Sequence, residues 1–93
     1  MIKKIYSIYD SAAGIFHNPV FEVSEGTLLR GVMDALDNKQ SELYKYRKDL
    51  SVFEIGEFDD NSGIIHLLKA PERKYYLEDL ANKGETKDGE QVS

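Results

Sequence analysis

Leu28, Leu29, Val32, Met33 and Leu36 fall at offsets 0, 1, 4, 5 and 8, which places them on one side of an α-helix and leaves Arg30, Asp34 and Asp37 on its other faces. Ser24 precedes this stripe as a good N-cap, because its side-chain oxygen can accept from an amide of the first turn that has no partner in the helix. Asp37-Asn38 marks the end. Gly31 inside the pattern costs about 1 kcal/mol against Ala, so its presence implies close backbone packing or simple tolerance. An amphipathic helix of this kind needs a layer to lie on, and the segments on either side have the composition of a sheet.

The first of these, Ile2 to Asp10, carries Ile5, Tyr6, Ile8 and Tyr9 among Lys and Ser and reads as a strand. After the small residues Ser11-Ala12-Ala13-Gly14, the stretch Ile15 to Val23 resumes an extended pattern interrupted at Asn18-Pro19. Pro19 lacks an amide donor, so this second strand should be irregular or an edge. Beyond the helix, Gln40 to Asp49 follows neither period and reads as a loop or a short helical turn. Leu50 to Phe58 and Ile64 to Leu68 then form a hairpin around Asp59-Asp60-Asn61-Ser62-Gly63, with Gly63 supplying the positive φ of a bulged loop. Pro71 suits the first turn of a final helix through Glu72 to Asn82, with Tyr76, Leu77, Leu80 and Ala81 on its buried side.

The order β-β-α-β-β-α predicts an α+β fold, an antiparallel sheet of about four strands with one amphipathic helix packed on one face. At 93 residues the chain has room for one core, so residues 1–83 are expected to form a single α+β domain and residues 84–93 a disordered C-terminal tail. With no Cys there are no disulfides, thiolate metal sites or thiol nucleophiles. No apolar run approaches the length of a membrane span and no signal sequence is visible, so the expectation is a soluble, non-secreted protein that does not engage membranes.

Several chemistries find no residues to carry them. His17 and His66 lack partners at ligand spacing, and Asp59, Asn61 and Gly63 match only part of a calcium loop whose closing Glu is missing. There is no nucleophile elbow, phosphate-cradling glycine loop or dinucleotide fingerprint. Glu54 and Glu57 are three apart on a strand, which puts them on opposite faces and unsuits them to a shared acid–base site. The expectation is a protein that is not an enzyme and uses no cofactor.

Charge is unevenly distributed. Against an overall −5, Lys39 to Lys48 carries four bases and one acid, whereas Asp49 to Leu68 carries five acids and no base. The basic stretch is also aromatic: Tyr44-Lys45-Tyr46-Arg47-Lys48, with Lys3, Lys4, Arg73 and Lys74 as supporting cations beside further tyrosines. Rings offer stacking surfaces to unpaired bases and neighbouring cations neutralise phosphates, so these nine residues are the candidate nucleic-acid site. The plainer reading makes the tyrosines packing residues and the cations a solvated face. A local patch acts semi-independently of net charge, because the Debye length is about 8 Å at physiological salt; binding should be weak and salt-sensitive.

Two further stretches carry a resemblance. Tyr6-Ser7-Ile8-Tyr9-Asp10, followed by Phe16, Pro19-Val20-Phe21 and a helix with Arg30, and then Phe53-Glu54-Ile55-Gly56-Glu57-Phe58-Asp59 with Gly63, are similar to the small nonstructural protein, assigned to DNA binding, of gokushoviruses, the Chlamydia-phage-like microviruses. The likeness covers about two thirds of the chain, roughly residues 5 to 65, and its Gly-Glu-Phe-Asp run is its most specific part. It implies a non-enzymatic bacteriophage protein of the host cytoplasm that binds DNA during viral genome replication and helps shift synthesis toward single-stranded progeny. It brings no catalytic residues.

The leading expectation is therefore a phage accessory protein that binds single-stranded DNA without sequence preference. Its rival is a homo-oligomeric interaction module docking on a replication, capsid or host protein, its acidic Asp49 to Asp60 segment meeting a basic surface or mimicking DNA.

Overall fold

Strand β1 (Ile2–Asp10) is the axis of the fold because it is paired along both of its sides. The computed structural model describes residues 1–83; the tail expected at 84–93 lies outside the described residues. On one side β1 meets two short strands, β2 (Ile15–Phe16) and β3 (Val20–Glu22), and on the other it meets β4 (Leu50–Asp59). β4 in turn pairs with β5 (Ile64–Tyr76), so the described sheet has five strands and is antiparallel throughout. The predicted second strand is thus split at Asn18-Pro19, where the missing amide breaks the ladder, and its halves dock separately on β1.

Helix α1 (Glu25–Asp37) begins where its cap predicts, with the Ser24 hydroxyl accepting from the Thr27 amide at 3.1 Å. It packs on one face of the sheet through Leu28, Val32 and Leu36, which meet Tyr6 from β1 and Leu50 and Val52 from β4. The chain is helical again over 77–83, where Leu77, Leu80 and Ala81 complete the same core. Tyr6, Val52 and Leu77 are almost wholly enclosed. Among the described residues, no helix lies over the other face of the sheet.

The final helix starts later than the sequence pattern implies. Residues 72–76 are strand, and Tyr76 is exposed rather than buried. Pro71 does not open a helix: it lies in a stretch, residues 68–71, that has no register partner on β4, where its missing N–H leaves no ladder bond unmade. Tyr75 and Tyr76 suit a strand, and pairing opposite Val52 and Ser51 engages their backbone.

Register shifts decide which side chains share a face. Along β4, Tyr6 stands opposite Glu54 and Ile5 opposite Gly56, so Ile55 is an extra residue. Glu54 and Glu57, expected on opposite faces, therefore point the same way, and the Lys4 ammonium reaches both, at 3.6 Å and 3.0 Å. The β4–β5 ladder shifts twice, across the unpaired residues 68–71 and again at Lys74, between Arg73 opposite Phe53 and Tyr75 opposite Val52.

Candidate nucleic-acid interface

The basic stretch between α1 and β4 is folded into two short turns. Helix α2 (Glu42–Lys45) is capped by Ser41, whose hydroxyl accepts from the Tyr44 amide at 3.2 Å and donates to the Ala35 carbonyl at 2.6 Å, which ties the loop to the end of α1. A 3-10 turn over Arg47–Asp49 follows and leads directly into β4. These anchors separate the two tyrosines. Tyr44 is half-buried against the core, with the Arg47 guanidinium 4.0 Å from its ring centroid. Tyr46 is 57% exposed.

The cations sort in the same way. Arg47 is half-buried, donates to the Tyr44 carbonyl at 2.8 Å and faces the Glu78 carboxylate at 3.9 Å. Lys45 and Lys48 are exposed and form no ion pair among the described residues. Lys4 and Lys74 belong to the helix-side face of the sheet, where Lys4 pairs with Glu54 and Glu57, and Lys74 lies 3.9 Å from each of Glu25, Glu54 and Glu72. The hydrogen bond that Lys4 donates to Glu57 raises the Lys4 pKa above its ordinary value. Lys3 sits near the far end of the sheet, 4.0 Å from Asp60. The fold thus keeps Tyr44 to Lys48 together, and sends Lys3, Lys4, Arg73 and Lys74 to other places.

Strand parity accounts for the acidic balance. Asp10, Glu22, Glu54, Glu57, Asp59 and Glu72 are the carboxylates of the described strands, and the pairing puts all six on the side that α1 covers. The opposite face carries none. It holds instead a row across the four paired strands, Phe16, Tyr9, Ser51 and Tyr76, and beside it a second row, Ser7, Phe53 and Arg73. Tyr9, Phe16 and Phe53 form a mutual cluster with centroids 4.6 to 5.7 Å apart. The Arg73 guanidinium lies 5.2 Å from the Phe53 centroid and 4.6 Å from that of Tyr76, and donates to the Tyr76 hydroxyl at 2.8 Å. Further along, Phe21 packs on Phe58 at 5.6 Å. All four phenylalanines of the chain are on this face.

Sequence reasoning named Arg73 as a supporting cation beside further tyrosines, but missed Phe16 and Phe53 as members of the same surface. The available signal was alternation: Phe53 sits between the buried Val52 and Glu54, and so points away from α1. At the sheet end nearest the 3-10 turn, a cavity of about 330 Å³ is lined by Tyr46, His17, Leu43 and Leu50, with Asp10 and Glu42 also contributing. Two carboxylates make it a poor place for a phosphate.

No helix among the described residues is long and apolar enough to cross a membrane. No curated protein and no solved structure matches the chain. The family described as phage ORF5 protein matches residues 3–80, from the start of β1 through the core residues after β5. The chain therefore belongs to the phage ORF5 protein family.

Proposed function

We propose that this phage protein is a non-enzymatic accessory of viral DNA replication, of the gokushovirus type, that binds single-stranded DNA weakly and without sequence preference in the host cytoplasm. The observation that carries this reading is the sorting of charge. The strand carboxylates point to the α1 side and there engage Lys4 and Lys74, which leaves Lys45 and Lys48 unpaired beside the exposed ring of Tyr46. A net charge of −5 is thus compatible with a patch that attracts phosphate. Tyr46 supplies a stacking surface, and Arg47 holds the turn in place through Tyr44 and Glu78.

Anisotropy titration of a labelled oligothymidylate at about 50 and 200 mM salt tests the reading. The expected result is binding that weakens steeply with salt. In the double variant Lys45→Ala/Lys48→Ala the log–log salt slope should fall by about 1.4, the value for two lost contacts to a single strand. No binding at the lower salt overturns the proposal.

A second reading, a homo-oligomeric module, draws on β5, a long edge strand with Ile64, Ile65 and Leu67 exposed. Light scattering on the full chain decides it: a monomer at all concentrations removes this reading.

A further inference from the structure

We propose that the face of the sheet opposite α1 is a base-stacking track for single-stranded DNA, formed by Phe16, Tyr9, Phe53 and Tyr76 with Arg73 as its phosphate contact. This rests on the single-stranded DNA reading above and assigns it a surface that the basic loop alone does not supply.

The rings sit on rigid strands, not on a loop. Phe16 is 43% exposed and Tyr76 48%, one on each outer strand of the row, with Tyr9 and Phe53 on the two strands between them. Ser51 stands between Tyr9 and Tyr76 in the first row, so a small side chain separates two rings. From β2 to β5 the row crosses three strand spacings, roughly 14 Å, enough for the two or three bases that aromatic sheet platforms commonly stack. β4 enters the sheet from the 3-10 turn at this same end, since Leu50 pairs with Asp10 and the Asp49 carbonyl accepts from the Ser11 amide at 2.9 Å. A strand lying on the rings can therefore continue onto Lys48 and Tyr46.

Charge selects nucleic acid over a second copy of the chain as the occupant. Arg73 stands over Phe53 and Tyr76, and this face has no strand carboxylate to meet it. Two copies joined symmetrically through these rows would bury two guanidiniums with no counter-ion, a costly arrangement. A phosphodiester chain brings the missing anion together with flat apolar bases.

The test uses the full chain and a labelled oligothymidylate. Phe16→Ala and Tyr76→Ala, both exposed positions, should each weaken binding about fivefold or more while leaving the salt slope unchanged. Arg73→Gln should weaken binding and lower the slope by about 0.7. Leu67→Ser, on the same face but away from the rings, should leave affinity as it is, and circular dichroism should be native for every variant. Should the wild type bind, and Lys45→Ala/Lys48→Ala weaken it while the three track variants do not, the track is wrong and the function stands. If the wild type does not bind at all, the functional reading itself fails. Self-association lost in Phe16→Ala and Tyr76→Ala, without any DNA effect, would also overturn the track by assigning the face to a second copy.

Discussion

Gly56 on β4 and His66 on β5 approach so closely that a Cβ on Gly56 would stand 2.4 Å from the His66 carbonyl oxygen. The obstacle is backbone, which cannot swing aside as a side chain can. Gly56→Ala must therefore push the two strands apart next to the Ile55 bulge, and we expect it to lower stability by about 2 kcal/mol or more, read as a fall in the urea midpoint. An unchanged midpoint would mean that the hairpin is not held at this spacing in solution.

Gly31 makes the opposite case. A Cβ there meets nothing within 4 Å, and the residue lies inside α1 with ordinary helical backbone, so close packing is not the reason for this glycine. Gly31→Ala should raise stability by about 0.5 to 1 kcal/mol, mostly by restricting the unfolded chain. Thermal unfolding is the check, with an increase of several degrees expected for a domain of this size.

Glu54 and Glu72 separate a buried ionic contact from a solvated one. Glu54 is nearly enclosed and receives Lys4 and Lys74 from either side, whereas Glu72 is 64% exposed and, among the described residues, approaches only Lys74. Glu54→Ala should cost about 2 kcal/mol, because two ammonium groups lose their shared acceptor in a partly desolvated place. Glu72→Ala should change stability by less than about 0.5 kcal/mol. Equal effects in denaturant titrations would show that burial does not govern this network.

Alkaline pH should destabilise the fold. Desolvation raises the Tyr6 hydroxyl above its ordinary pKa of 10.0, and the hydrogen bond to Glu25, 2.5 Å long, does the same for Tyr75. Lys4 is raised as well, chiefly by its hydrogen bond to Glu57. Each group holds its proton more tightly folded than unfolded. Their contribution is thus complete below about pH 10 and is lost as pH rises through the higher folded values. Urea midpoints should be level from about pH 8 to 10 and then fall, and Tyr75→Phe should soften that fall. Tyr6→Phe removes a hydroxyl with no hydrogen-bond partner among the described residues, so at neutral pH it should change stability by less than about 1 kcal/mol.

Local chemistry was legible wherever one residue type dictates one conformation. Ser24 caps α1, Gly63 has φ of +75°, and the 28–36 stripe is the buried side of the helix, all as their patterns imply. The end of the chain was misjudged because Pro71 has two acceptable settings, a helix start and an unpaired stretch of strand. Only contact with β4 chooses between them. The candidate site was half legible for a related reason. Proximity in sequence kept Tyr44 to Lys48 together, yet nothing in their spacing told the half-buried Tyr44 from the exposed Tyr46.

By itself the sequence determined the kinds of element, their order and the helix face that is buried, since these depend on neighbours within a few residues and on fixed periods. The tertiary structure decided which side chains share a sheet face, because one unpaired residue reverses strand parity. Ile55 brings Glu54 and Glu57 together over Lys4, and Lys74 brings Arg73 and Tyr76 together beside Phe53. An acidic chain with an acid-free aromatic face is the product of those two insertions and of the unpaired stretch 68–71, which sets the face of Glu72, and all three are written in the pairing of strands far apart in the chain.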